Sequence, residues 1–256
     1  MTDKITRTAE RIASAFESRT PIDAIPDGDA PTTQKEAFAI QDSAFALLGR
    51  TPGAWKVGGS PGTDPTAAPI AAAKLYPSGQ VLASAEHRNF GVEAEIAFRL
   101  GRDLPTRDAP YTPEELRDAV SSLIVVIEVV ESRLQDWPEV DPLWALMDFQ
   151  ANDSLVQGTE IPVPPALDFA SQPVRLLFDG APAFEGTGTF KGGDPFTLMA
   201  WLANHAQERT GAMAGRGLKA GDVITTGSWN GISFAGPGVA ARVEFPGLGE
   251  AEMRFA

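Results

Sequence analysis

The sequence predicts an α+β fold with a helical N-terminal region, and three patterns support this prediction. The N-terminal segment MTDKITRTAERIASAF carries apolar side chains at helical spacing. The middle of the chain holds GVEAEIAFRL, in which acidic and apolar residues alternate, and LIVVIEVV, a β-branched apolar run of strand length. Strand patterns then continue to the C-terminus without the regular alternation with helices that a parallel α/β protein requires.

The first helix is predicted from four apolar positions, which are Ile5, Ala9, Ile12 and Phe16. The second helix is predicted to start at Thr33, because T-Q-K-E matches a capping box closed by Glu36. It is expected to end near Gly49, since glycine is the commonest residue just past a helix C-terminus. Both helices belong to the N-terminal region.

Residues 51–79 are rich in Gly, Pro, Ala and Ser, which predicts loops and one short strand around Trp55 to Gly58. This change in composition indicates a division of the chain. We expect a helical region over residues 1–60 and a β-rich body over residues 61–256, together forming one structural unit.

The remaining elements follow from local patterns. A helix is expected at Thr112-Pro113, with Glu115 closing its cap, and another from Asp194-Pro195 to about Thr210. A helix or turn is expected between Pro142 and Leu155. The predicted strands are Gly91 to Leu100, Leu123 to Val130, Val174 to Phe178, Phe184 to Phe190, Val223 to Thr226, Val239 to Phe245 and Ala251 to Phe255.

Composition excludes several classes of function. The chain has no cysteine, so disulfides, thiolate metal sites and a cysteine nucleophile are ruled out. Its net charge of −13 without a basic patch argues against binding to nucleic acid or to an anionic membrane. The chain has no apolar run of membrane-spanning length and no secretory signal at its start, so we expect a soluble, cytoplasmic protein. An anionic substrate then needs a local positive group, such as a metal ion or a lysine.

Two carboxylates share one face of the strand GVEAEIAFRL, because Glu93 and Glu95 are two residues apart. A third, Glu128, interrupts the apolar run LIVVIEVV, where an isolated ionised group would be very unfavourable. Hard divalent cations such as Mg²⁺ and Mn²⁺ prefer oxygen ligands of this kind. The alternative is a solvated face on which Arg99 pairs with Glu95, and spacing alone leaves both interpretations open.

These segments resemble the 2-keto-4-pentenoate (2-hydroxypenta-2,4-dienoate) hydratase family of the fumarylacetoacetate hydrolase superfamily. The resemblance spans nearly the whole chain and its motifs occur in the family's order. They are AFAIQ (Ala37 to Gln41), WKVGGS (Trp55 to Ser60), GVEAEIAF, IEVVESRLQDW, MDFQANDSLVQG (Met147 to Gly158) and LKAGDVITTGS (Leu218 to Ser228).

The resemblance implies a mixed β-roll body and a site for Mg²⁺ or Mn²⁺ formed by Glu93, Glu95 and Glu128. It implies short 2-oxo acids as substrates, homo-oligomers, and a possible association with a related decarboxylase. Lys56 matches the family's lysine and would stabilise an enolate oxygen or relay a proton, aided by a pKa lowered by burial or by a nearby cation. The residues in matching segments that would bind substrate are Ser60, Gln150 and Thr226, with Gln41 as a weaker candidate.

One segment departs from the family pattern. Hydratases of this family carry an acidic residue after the lysine loop, whereas Pro69 to Gly79 has no acidic residue and only Lys74 and Tyr76 as titratable ones. His87 could act instead as acid or base, since its ordinary pKa lies near neutrality; the alternative is an exposed loop position within SAEHRN. His205 is most simply a residue on a helix face.

The pattern therefore predicts a metal-dependent hydratase that forms 4-hydroxy-2-oxo acids. A 4-oxalocrotonate-type decarboxylase needs the same ligands and stays open. So does an acylpyruvate hydrolase with a His–Glu pair, for which His87 with Glu86 or Glu131 would serve. An inactive partner subunit is the non-enzymatic alternative, although buried carboxylates without an ion to bind would only destabilise it.

Overall fold

The computed structural model describes residues 2–165 and 167–256. Its α-helices are α1 (Thr2–Ser18), α2 (Gln34–Leu47), α3 (Pro113–Ala119), α4 (Pro142–Met147) and α5 (Pro195–His205). Its strands are β1 (Pro52–Gly58), β2 (Thr66–Ala71), β3 (Leu75–Pro77), β4 (Gln80–Leu82), β5 (Gly91–Leu100), β6 (Val120–Val130), β7 (Asn152–Ile161), β8 (Pro173–Phe178), β9 (Ala181–Thr187), β10 (Val223–Thr225), β11 (Ser233–Phe234), β12 (Ala240–Phe245) and β13 (Gly249–Phe255).

The strands form two mixed sheets. The first has the order β2-β1-β10-β5-β6-β7-β3, with β11 paired to β5, and the second has the order β4-β13-β12-β8-β9. Parallel pairs, such as β1 with β10 and β3 with β7, lie beside antiparallel ones. The predicted α+β class, a mixed β-roll with a helical N-terminal region, is confirmed. The division at residue 60 stays a prediction, and β1 pairs with strands of the β-rich body.

Strand β5 is buried on both faces, which places its acidic side chains inside the protein. Ile96 and Phe98 belong to the large core, which also includes Phe245 of the second sheet. Ala97 belongs to a smaller apolar cluster together with Val126 of β6. The two acidic side chains of β5 alternate with the large-core residues, so they share the face of Ala97.

Caps and tertiary contacts adjust the predicted helices. Thr33 caps α2 by accepting from the Glu36 backbone N–H, but the Glu36 carboxylate binds Lys4 and Thr32, so the box is not closed. The box at the start of α3 is complete. No helix within the described residues is long and apolar enough to cross a bilayer.

Helix α5 ends five residues earlier than its pattern predicts, at His205 rather than near Thr210. After His205 the backbone changes to hydrogen bonds with carbonyls three residues back, and the carboxylate of Asp42 then accepts from the Thr210 backbone N–H at 2.7 Å and from the Arg209 guanidinium. That backbone N–H would otherwise continue the helix, so the distant carboxylate redirects the chain.

Several strands escaped the sequence analysis because their residues are weak strand formers. Strand β2, TAAPIA, is an edge strand, where its proline is tolerated. Strands β3, β4 and β11 have only two or three residues each. Strand β7 begins inside the predicted helix or turn with polar residues, of which Asn152 bonds Glu128 of β6.

A left-handed turn precedes β7. Phe149, Gln150 and Ala151 have φ of 54°, 53° and 57° in succession, a conformation that costs about 1–2 kcal/mol for each non-glycine residue. Arg133 holds both ends of this turn, donating to the Asp148 carbonyl at 2.5 Å and to the Asn152 carbonyl at 2.8 Å. Arg133 also pairs with the fully buried Asp148 carboxylate. The buried ion pair therefore offsets backbone strain in the turn.

Arg133→Met should lower the free energy of unfolding by about 3–5 kcal/mol, because it leaves the buried Asp148 charge without its partner. Urea denaturation measures this loss. Arg175→Met, which breaks an exposed ion pair with Glu185, is the matched control and should change stability by less than about 1 kcal/mol. Equal effects of the two substitutions would contradict the role assigned to the buried pair.

Candidate metal centre

Three carboxylates converge in the interior of the first sheet. Glu93 of β5 lies directly opposite Glu128 of the antiparallel strand β6, and Glu95 follows two residues later on the same face. Ligand oxygens of the three side chains all lie within 4.8 Å of one another, and all three residues are buried. We call Glu93, Glu95 and Glu128 the acidic trio.

Neighbouring strands supply the partners of the acidic trio. Lys56 of β1 donates to Glu128 Oε1 at 2.7 Å and approaches Glu93 Oε2 at 3.4 Å. Asn152 donates to Glu128 Oε1 at 3.1 Å. The hydroxyl of Thr225 and the backbone N–H of Gly227 donate to Glu95 Oε2.

These partners do not satisfy every oxygen. Glu95 Oε1 and Glu128 Oε2 are buried and have no hydrogen-bond partner within the described residues. Arg99 does not pair with Glu95, as the alternative interpretation required, but with Glu160 at 2.8 Å. The solvated-face interpretation of E-x-E is therefore wrong, because Glu93 and Glu95 are buried from water and Arg99 pairs with another carboxylate.

The electrostatics show an excess of negative charge. Burial raises the pKa of Glu93 to about 7, with Lys56 opposing and Glu128 adding to the rise. Burial also raises the pKa of Glu95 well above its usual range, and the charges of Glu128 and Glu93 add to it. One lysine thus faces three carboxylates that cannot all ionise comfortably without a further cation.

The same charges favour the protonated form of Lys56. Burial disfavours the Lys56 ammonium, but the charges of Glu128, Glu93 and Glu95 outweigh that effect and raise the pKa of Lys56. The expected lowering is therefore wrong for the protein by itself. Lys56 carries its proton at the acidic trio.

The donor set fits a hard divalent cation. All the converging atoms are carboxylate oxygens, two of them lack any other partner, and the sheet excludes water from two of the three residues entirely. Mg²⁺ and similar ions are held by a few carboxylates, with the remaining positions left for water or substrate. Isolated buried carboxylates would otherwise be strongly destabilising.

A cavity of about 380 Å³ opens beside the acidic trio. The predicted substrate-binding residues Ser60 and Thr226 both line it, as does Gly227, whose N–H reaches Glu95. Gln150 adjoins the cavity through a 2.5 Å hydrogen bond to Thr66, and its carbonyl accepts from Lys56 at 3.3 Å. The tertiary structure thus brings these three predicted residues to the same place as the predicted metal ligands.

His87 lies elsewhere. Its side chain is only 4% exposed, so it is not the exposed loop residue of the alternative interpretation. Its Nδ1 lies 3.0 Å from the Ala83 carbonyl and its Nε2 lies 3.8 Å from Asp153. It lines a second cavity, which none of the acidic trio reaches. Glu131, its proposed hydrolase partner, accepts from the backbone N–H groups of Arg88 and Asn89.

Two other polar residues, Gln41 and His205, have contacts that serve packing rather than the site. Gln41 is buried and donates to the Ala67 and Leu146 carbonyls at 3.2 and 2.8 Å. His205 stacks on Trp201 at a centroid distance of 4.7 Å, and burial lowers its pKa to about 4. His205 is thus a neutral residue on a packed helix face, as predicted.

Sequence reasoning missed several residues of the site. Asn152 and Thr225 bond the acidic trio but look like ordinary strand residues. Asp64, from the same loop as Ser60, and Lys191, from a loop distant in sequence, also line the cavity. The available sequence signal for Lys191 was a charged residue followed by two glycines, as in F-K-G-G.

Comparison with known proteins gives consistent results. The sequence pattern of the fumarylacetoacetate (FAA) hydrolase C-terminal family matches residues 63–256. A 2-keto-4-pentenoate hydratase of Paraburkholderia xenovorans (strain LB400) is 31% identical over 64% of this chain and 58% of its own length. The chain thus aligns with less than two thirds of that relative. A 2-keto-4-pentenoate hydratase of Paraburkholderia phymatum is 28% identical over 99% of this chain and 98% of its own length.

The fold matches a solved structure over its whole length. The 4-oxalocrotonate decarboxylase from Pseudomonas putida G7, complexed with magnesium and adipate, has a TM-score of 0.86. The match covers 100% of this chain and 98% of that one at 22% identity, which supports the fold alone. The family match and the named relatives together confirm the resemblance that the sequence motifs indicated: this chain belongs to the fumarylacetoacetate hydrolase C-terminal family and is related within it to the 2-keto-4-pentenoate hydratases.

Proposed function

We propose that this protein is a divalent-metal-dependent hydratase that converts 2-hydroxy-2,4-dienoates, through 2-oxo-enoates, into 4-hydroxy-2-oxo acids. The observation that carries the proposal is the buried acidic trio with Lys56 bonded to it and a polar cavity alongside. The names of the curated relatives support the choice of reaction.

In the proposed reaction, the dienol first becomes an α,β-unsaturated 2-oxo acid. Its 2-hydroxyl loses a proton and C5 gains one. Water then adds across the C3–C4 double bond, with its oxygen bonding to C4 and its proton to C3. Both steps move protons on or off a carbon skeleton that is conjugated with the 2-oxygen, so charge on that oxygen must be stabilised.

The residues of the chain have separate tasks in this mechanism. Glu93, Glu95 and Glu128 would hold Mg²⁺ or Mn²⁺. When bound, the ion supplies a Lewis acid that stabilises negative charge developing on the 2-oxygen of the substrate. Lys56 holds a proton beside the same site, between Glu128 and Glu93, and donates it to the enolate.

Substrate binding is assigned to the 380 Å³ cavity. Its volume suits a short-chain acid. The hydroxyls of Ser60 and Thr226 can donate to the substrate carboxylate, and the ammonium of Lys191 attracts an anion into a protein whose net charge is −13. Gln150, with an unpaired buried Oε1, can accept from a substrate hydroxyl.

Addition of water needs a group that moves a proton near C4. The segment Pro69 to Gly79 lacks the expected acid, and its Lys74 is bonded to Asp153 at 2.9 Å, away from the acidic trio. Asp64 is the acidic residue that lines the substrate cavity. We therefore assign to Asp64 the role of base toward the attacking water.

Glu128→Gln should abolish stabilisation of the protein by Mg²⁺, because one of three converging ligands is lost. For the unmodified protein, Mg²⁺ at about 100 times its Kd should raise the free energy of unfolding by about 2.7 kcal/mol. Thermal unfolding with and without Mg²⁺ measures the difference. Glu131→Gln, three residues along and outside the acidic trio, is the control that should keep the response. Calorimetry that detects no metal binding to the unmodified protein would refute the site.

With Mg²⁺, the protein should consume 2-hydroxypenta-2,4-dienoate and release a 4-hydroxy-2-oxo acid, as followed by absorbance and NMR. Lys56→Met should lower kcat by about 100-fold or more, because it removes a proton donor at the reacting atoms. A parallel incubation with 4-oxalocrotonate tests the decarboxylase. Release of carbon dioxide from that substrate, without hydration of the dienoate, would replace the hydratase proposal.

Asp64→Asn should separate the two halves of the reaction. Ketonisation of the dienol, measured as deuterium uptake at C5 in D₂O, should persist, while hydration at C4 should fall by about 100-fold. Asp108→Asn, an exposed aspartate outside the cavity, is the control and should leave both rates unchanged. Full hydration activity in Asp64→Asn would remove Asp64 from the mechanism.

A further inference from the structure

A second cavity, of about 240 Å³, lies beside the C-terminal end of α1. We call it the α1 cavity. It is lined by Phe16 of α1, by Arg50 after α2, and by Lys74, His87 and Asp153. Neither Lys56 nor any member of the acidic trio lines it, and it shares no lining residue with the substrate cavity.

Cations outnumber anions in the wall of the α1 cavity, although the chain as a whole is strongly acidic. Most of the wall charges already have partners. Arg19 pairs with Glu86 at 2.9 Å, and Arg133 pairs with Asp148 behind the wall. Glu131 accepts from the backbone N–H groups of Arg88 and Asn89.

Arg50 is the exception among these charges. Its guanidinium has no hydrogen bond or ion pair to any residue in 2–165 or 167–256. Its central carbon lies 4.2 Å from the centroid of the Phe16 ring, which makes a cation–π contact. Burial lowers the pKa of Arg50 and the like charge of Arg133 lowers it further, while the negative charge of Asp153 opposes this shift. A partly buried cation with unused donors is stabilised by an anion that pairs with it.

Lys74 and His87 form a second positive element around one carboxylate. Lys74 Nζ lies 2.9 and 3.2 Å from the two oxygens of Asp153, and His87 Nε2 lies 3.8 Å from Oδ2. Burial disfavours the charged imidazole, but Asp153 and the Ala83 carbonyl outweigh it and raise the pKa of His87. The negative charge of Asp153 is thus already matched, and it does not exclude a second anion.

We propose that the α1 cavity binds a small organic or inorganic dianion bearing carboxylate or phosphate groups. The planar guanidinium of Arg50, in contact with the Phe16 ring, can bind such a group in bidentate fashion. The basic side chains of the wall outnumber its carboxylates, so a second negative charge on the ligand is also attracted. The cavity volume admits a short dicarboxylate or a phosphate ester. This site is independent of the proposed catalytic function, because it uses none of the same residues.

Isothermal titration calorimetry of the full chain tests the proposal. The buffer contains chloride as its only small anion and no divalent cation, so the acidic trio repels dianions at the other site. Succinate and inorganic phosphate are titrated separately. At least one of the two probes should bind at one site per chain with a Kd below about 10 mM, and added sodium chloride should weaken this binding. The probe that binds identifies a carboxylate or a phosphoryl ligand.

Variants show where the probe binds. Arg50→Gln should weaken binding by about tenfold or more, and Arg50→Lys, which keeps the charge but loses the bidentate geometry, should give an intermediate affinity. Lys191→Met, in the substrate cavity, is the matched control and should bind as the unmodified protein does. Circular dichroism checks that each variant is folded. If Arg50→Gln does not fold, the affinity of Arg50→Lys for the probe tests the proposal by itself. Absence of binding for both probes, unchanged binding in the Arg50 variants, or loss of binding in Lys191→Met would overturn the proposal.

Discussion

The structure depends on burying three like-charged carboxylates at one point of a sheet. Members of the acidic trio lie within 4.8 Å of one another, so their repulsion must be relieved by the strands around them. Each neighbour contributes: β1 supplies Lys56, β10 supplies Thr225, and β7 supplies Asn152. The strand order β1-β10-β5-β6-β7 is the order that brings these partners to the two central strands.

The need for hydrogen-bond partners at the acidic trio also accounts for the strained turn before β7. Its left-handed backbone presents the Gln150 carbonyl to Lys56 and brings Asn152 to Glu128. Such a backbone is unfavourable by itself, and it persists because Arg133 binds the carbonyls at both ends. A buried ion pair is ordinarily weak evidence for stability. Here the geometry indicates a positional role, because the guanidinium contacts backbone as well as carboxylate.

The two cavities use opposite electrostatic arrangements. Beside the acidic trio, negative charge exceeds positive charge, and a cation would complete the site. In the α1 cavity, positive groups exceed negative ones, and Arg50 lacks an anion.

The sequence by itself determined the α+β class, most helices and the acidic trio. The class and the helices follow from local periodicity, whereas spacing alone left the acidic trio open beside a solvated face, and the resemblance of the ordered motifs identified it. Ordered motifs also predicted that Lys56, Ser60, Gln150 and Thr226 belong together. The tertiary structure decided the rest, including the position of His87 away from the trio and the presence of Lys191 beside Ser60. Those outcomes depend on contacts between residues far apart in the chain, and such contacts follow from how sheets and loops pack rather than from any local pattern.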